Sequence, residues 1–199
     1  MKTRIVLASF VLLALSSLAF QPTSAQTAAK QGQTNDALIA RGKYLVDFGG
    51  CHDCHSPKIM TDKGPVPDLN RMLSGHPADS KLPAFEKDIV TTRGWVLFTG
   101  DLTGYVGPWG VSYAYNLTPE PNTGIGLWTE EIFTKAVRTG KHMGAGRPIL
   151  PPMPWMNVAG LTDEDLSAVY AYLKSIPPVK NAIPGAMSLD EYLGANKYV

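Results

Sequence analysis

Cysteine is scarce in this chain, with two residues in 199. Charge of one sign is scarce too: 18 Lys and Arg stand against 17 Asp and Glu, a formal balance of +1. That balance excludes a broadly basic nucleic-acid binder and gives no footing on an anionic membrane surface. Nothing repeats along the chain. The carboxylate clusters at Glu130-Glu131 and Asp163-Glu164-Asp165 read as helix starts, so general acid–base catalysis gets little support.

What cysteine there is lies in one pentapeptide, Cys51-His52-Asp53-Cys54-His55. The C-x-x-C-H spacing is the attachment signature of covalent haem c. On one helical turn, positions i and i+3 share a face, so both thiols reach the two vinyl groups of one haem. His55 follows at i+4 from Cys51 and brings an imidazole nitrogen to the iron. A redox disulfide would need a βαβ context, which is missing here. A zinc site would need a second ligand pair, and His76 and His142 are too scattered to supply it. His52, at a free position of the motif, is expected to face solvent. With both thiols committed to one haem, no disulfide remains to staple the fold, and the cofactor must fill much of the core.

The N-terminus agrees with this. Lys2 and Arg4 precede an almost wholly apolar run from Ile5 to Phe20, and Thr23-Ser24-Ala25 offers small residues for cleavage. This is the plan of a secretory signal peptide over residues 1–25. The alternative is an uncleaved anchor facing the periplasm, although the apolar run falls short of the roughly 17–25 residues of a spanning helix. Either way the chain is expected to be exported to the periplasm. Cleavage removes two positive charges and shifts the balance to about −1. The remaining length predicts one domain over residues 35–180, after a flexible lead-in at 26–34 and before a tail at 181–199.

Periodicity predicts three main helices. The first runs from Asp36 to Gly49, with Leu38, Gly42, Leu45 and Gly49 on one face. A mid-helix glycine costs about 1 kcal/mol against alanine, so Gly42 predicts a close helix crossing. The second spans Glu130–Thr139, capped by Thr129 and stopped by Gly140. The third spans Asp163–Ser175 behind Thr162, with Leu166, Val169, Tyr170 and Leu173 as its stripe. Between Ser56 and Trp128, prolines punctuate the chain. Trp95–Phe98 and Val111–Tyr113 read as short strands about a Gly-rich turn, a small β-hairpin insertion.

The sixth iron position has candidates in Met60, Met72, Met143, Met153, Met156, Met187, His76 and His142. Pro151, Pro152 and Pro154 bracket Met153 and stiffen the strap that presents it. Met156 lies just beyond, and spacing does not separate the two. Arg93 and Arg147 are both candidates for a haem propionate.

The motifs carry a resemblance. Arg41-Gly42-Lys43-Tyr44-Leu45, the haem motif, Asn116-Leu117-Thr118-Pro119, Thr123-Gly124-Ile125-Gly126, Gly146-Arg147, Met153-Pro154-Trp155, Leu161 to Leu166 and Ala171-Tyr172-Leu173 resemble a class I cytochrome c. More narrowly, they resemble the monohaem units of dehydrogenase-associated cytochrome c subunits. The resemblance implies an all-α fold of three main helices around the haem, and picks Met153 over Met156 as the iron ligand beside His55. Members often carry three haem units on one chain, whereas this sequence has one. The stretch Lys58 to Tyr105 is longer or more divergent than expected, and the likeness does not extend past Lys180.

The expected function is therefore periplasmic electron transfer through one haem c with His/Met ligation. The expected donor is a dehydrogenase, and the acceptor an oxidase or another cytochrome. A ligand-binding haem protein, an open-iron enzyme and a fixed subunit of a dehydrogenase are the alternatives. Trp95, Phe98, Tyr105 and Trp109 are either an interface or a cover over the haem.

Overall fold

The computed structural model describes residues 24–195. The expected leader falls outside them apart from its last two positions. In chain order the elements are α1 (Ser24–Phe48), α2 (Cys51–His55), β1 (Lys58–Thr61), β2 (Gly64–Pro67), α3 (Lys87–Thr91), β3 (Leu97–Phe98), β4 (Gly104–Gly107) and β5 (Gly110–Tyr113). Then come α4 (Glu130–Thr139), a 3-10 turn at His142–Gly144, α5 (Trp155–Ala159), α6 (Asp163–Ser175) and α7 (Leu189–Ala195).

The framework is helical, and α4 and α6 occupy the residues their periodicity predicts. Thr129 Oγ1 accepts from the Ile132 amide, and Gly140 closes α4 at φ 63°. Thr162 Oγ1 accepts from the Asp165 amide at 3.1 Å. α1 starts earlier than expected and runs back through the polar stretch 26–34. That stretch is rich in Ala, Gln and Lys, which are strong helix formers even without an apolar stripe.

The crossing predicted from Gly42 exists, and α6 makes it. A Cβ at Gly42 would collide with the Ala168 carbonyl and come 2.8 Å from Tyr172 Cβ. Arg41 locks the same crossing with two hydrogen bonds to the Asp165 carboxylate, at 2.9 and 3.2 Å. Beneath it Val46, Leu73, Ile125, Phe133, Leu166, Val169 and Leu173 form the main core.

The insertion holds more strand than one hairpin. β1 and β2 pair antiparallel, and β3-β4-β5 form a three-stranded antiparallel sheet. β1–β2 escapes a sequence reading because Pro65 and Pro67 argue against a strand, although an edge strand tolerates proline where its N–H would face solvent. β4 hides inside the Gly-rich region for the same kind of reason. A second core of Val90, Val106, Val111 and Leu189 joins this insertion to α7, so the residues after Lys180 are packed into the fold.

Candidate functional site: a cofactor cavity around the Cys-x-x-Cys-His turn

Gly50, at φ 66°, turns the chain from α1 into the single turn of α2. This left-handed conformation would strain a residue with a Cβ. The turn delivers Cys51, Cys54 and His55 to one cavity of about 430 Å³. Cys51 and Cys54 are not joined to each other by a disulfide. Burial pushes the Cys51 thiol up from its ordinary value. A redox thiol needs the opposite shift, so the disulfide reading loses ground. Among the described residues no group of three or more His, Cys, Asp and Glu side chains could hold a metal ion, so the zinc reading lacks its ligands.

His55 is buried, and its Nδ1 lies 2.7 Å from the Tyr115 carbonyl oxygen. A carbonyl only accepts, so Nδ1 carries the proton. The lone pair is therefore on Nε2, in a ring that lines the cavity. Burial, the main cause, holds the ring below the ordinary imidazole range and keeps it neutral. Its backbone is gripped as well. The Gly75 amide donates to the His55 carbonyl at 2.7 Å, and the Leu73 amide donates to Ser56 Oγ at 2.9 Å. Gly75 (φ 79°) is pressed against Ala114 and Tyr115, and a Cβ there would come 2.5 Å from the Ala114 oxygen. The histidine is thus fixed from the Leu73–Gly75 segment and from the Ala114–Tyr115 segment together.

The remaining wall is apolar, with Val46, Leu117, Ile125, Phe133, Val169 and Leu173 shared with the main core. Met153 lines the cavity. Met156 sits in α5, 63% exposed and outside the lining. Ser112 Oγ donates to the Pro151 carbonyl at 2.8 Å and ties the proline strap to β5. His142 also lines the cavity, edge-on to Tyr115 and Trp128 at 5.3 Å from each ring, whereas Met143 stays outside the lining and is 47% exposed. Arg147 stands at the exposed rim of the cavity. Arg93 is elsewhere, paired with Asp88 at 3.0 Å.

His52 departs from expectation. Its side chain is only 18% exposed, with Nδ1 2.9 Å from Ser56 Oγ and Nε2 3.3 Å from Asp47. The free position of the motif is tucked against the end of α1 because α2 is one turn long and folds back on it. The insertion aromatics divide. Tyr105 lines the cavity, and burial beside Cys54 raises its phenol well above the ordinary range. Trp109 covers the β4–β5 turn and donates to Ser112 Oγ at 3.0 Å. Trp95 and Phe98 stay exposed. Tyr105 thus takes the covering role named for it among the insertion aromatics, whereas Tyr115 and the tail residues Ile183 to Ala186 belong to the lining without any spacing signal to mark them.

The cavity fits a haem. It offers two thiols from one helical turn, a neutral imidazole with a free lone pair, a thioether, an apolar wall for the ring and a cation at the rim for a carboxylate.

No family model matches the chain. The gluconate 2-dehydrogenase cytochrome c subunit of Pantoea cypripedii is 32% identical over 175 residues, 87% of this chain and 30% of that protein. The cytochrome c subunit of alcohol dehydrogenase (quinone) from Gluconobacter oxydans is 31% identical over 153 residues, 76% of this chain and 24% of that protein. The chain resembles the dehydrogenase-associated c-type cytochromes. A subunit of the nicotinate dehydrogenase of Pseudomonas putida is 40% identical over 153 residues, 77% of this chain and 10% of that protein. The chain spans less than a third of the length of each of these relatives. No helix among the described residues is long and apolar enough to cross a membrane.

Proposed function

We infer that this chain is an exported electron-transfer cytochrome, which takes electrons from a dehydrogenase and passes them to a respiratory acceptor in the periplasm. The observation that carries this reading is the convergence of Cys51, Cys54, a lone-pair-bearing His55 and Met153 on one apolar cavity. Cys51 and Cys54 would hold a single haem c by thioether bonds, and His55 Nε2 and Met153 Sδ would ligate its iron. The haem, when bound, supplies reversible one-electron chemistry between Fe(II) and Fe(III). The protein's own part is to orient and exclude. The Tyr115 carbonyl holds the imidazole tautomer, the apolar wall keeps water from the ring, and Arg147 meets a propionate at the rim. Ligation by Met and His together raises the reduction potential and leaves no open position, which suits transfer without turnover.

Optical spectra of the exported protein, oxidised and reduced, with and without carbon monoxide, test this reading. A methionine-to-iron charge-transfer band with no response to carbon monoxide is expected. A high-spin spectrum that shifts with carbon monoxide would replace the carrier with a ligand-binding or catalytic haem protein. A low-spin spectrum without the methionine band would move the ligation to His142.

A fixed subunit of a dehydrogenase is the second reading. Trp95 and Phe98, 64% and 55% exposed on the insertion, favour it, because aromatics are enriched in interface cores. Co-elution with a dehydrogenase from the native host supports that form, and elution as a free monomer sinks it.

A further inference from the structure

The tail after Lys180 touches the cofactor cavity and both segments that hold its candidate ligands. Ile183, Pro184, Gly185 and Ala186 line the cavity directly. Ahead of them, Asn181 makes four hydrogen bonds. Its Nδ2 donates to the carbonyls of Ser74 and His76, at 2.7 and 2.8 Å, and its Oδ1 accepts from the Ala78 amide at 2.9 Å. Its own amide donates to Thr123 Oγ1 at 3.0 Å.

Ser74 and His76 flank Gly75, whose amide donates to His55. Just ahead of the latch, the Val179 carbonyl accepts from the buried Asn116 side chain at 2.8 Å, next to the Tyr115 carbonyl that holds the imidazole. Beyond the lining stretch, Met187 pairs with Val111, each amide donating to the other's carbonyl, at 2.8 and 3.2 Å. Val111 neighbours Ser112, which is tied to Pro151 of the methionine strap. The tail therefore bridges the supports of His55 and the supports of Met153 while closing the space between.

We propose that Asn181 is a positioning residue for the cofactor: it latches the Ser74–His76 loop behind His55 and seats the strap Ile183–Ala186 over the cavity. The proposal rests on the reading of the cavity as a haem site. An amide side chain is what the latch needs, because two of its bonds are donated to main-chain carbonyls and one is accepted from a main-chain amide. Asp cannot donate to the two carbonyls, and it places a negative charge against them.

The test uses the haem-loaded full chain with Asn181→Asp and Asn181→Ala, and Lys180→Ala at the exposed neighbouring position as a control. Covalent haem in the wild type is established first, by retention after denaturation. Its absence would overturn the function reading itself, independently of any variant. With haem present, both Asn181 variants should bind carbon monoxide in the ferrous state at least about tenfold more tightly than the wild type. They should also shift the midpoint potential and accelerate hydrogen exchange at the Gly75 amide by a similar factor. Lys180→Ala should match the wild type in all three. Wild-type carbon monoxide response, potential and Gly75 exchange in the Asn181 variants would overturn the proposal. Should both Asn181 variants fail to accumulate, Thr123→Val removes one of the four bonds and is read the same way.

Discussion

Gly42→Ala sets two known effects against each other. On an exposed helix position the added methyl would stabilise by about 1 kcal/mol, because alanine loses less backbone freedom than glycine. Here the methyl meets the Ala168 carbonyl and the Tyr172 Cβ of α6. Both are main-chain or first side-chain atoms, so no rotamer change makes room, and α1 and α6 must part. Overpacking of a tight interior costs about 1–3 kcal/mol where side chains can yield. A backbone collision belongs at the top of that range, so a net loss of about 2 kcal/mol is expected. For a domain of this size that is about 4–8 °C in the unfolding midpoint. Gly194→Ala is the control, since nothing lies within 4 Å of a Cβ there. It should be neutral or gain up to about 1 kcal/mol. Thermal unfolding followed by far-UV circular dichroism reads both. A midpoint for Gly42→Ala equal to or above the wild type would refute the reasoning, because helix propensity would then have won over the crossing.

Met153→Leu should abolish the methionine-to-iron band and open the ferrous protein to carbon monoxide, whereas Met156→Leu should leave both unchanged; the reverse pattern would move the ligand to α5. Burial holds the His76 ring below the ordinary imidazole range, against the pull of Asp101 and Asp79. The unfolded chain therefore takes up that proton first as pH falls through about 6.5, and the stability His76 contributes is present above that pH and lost below it. His76→Asn should keep a donor towards Thr103, the partner His76 Nδ1 meets at 2.8 Å. It should flatten the stability profile between pH 7 and 5, measured by urea unfolding; an unchanged slope would assign the acid sensitivity to other groups.

Much of this molecule was legible in one dimension because its signals are local. Thr129 and Thr162 cap the helices they precede, and Gly140 ends α4, because a cap acts within one turn of its own chain. The Cys51–His55 motif announces a haem by spacing alone, since its geometry is that of a single helical turn. Even the α1–α6 crossing left a trace, as a glycine where alanine would otherwise serve.

What tertiary structure alone decided depends on distant segments meeting. The resemblance already favours Met153 over Met156, and the fold's part is to bring Met153 to the cavity wall and leave Met156 exposed in α5, a difference that spacing does not show. The choice of Arg147 over Arg93 for the rim came from the fold. The Tyr115 carbonyl carries no side-chain signature, yet it sets the tautomer of His55 across 60 residues of chain. The tail stands apart in the sequence because the resemblance ends at Lys180. Asn181 makes it part of the site only because folding brings Ser74, His76 and Thr123 to one place. Short-range chemistry is written in the order of residues, whereas a cavity is made by the packing that sets its walls side by side.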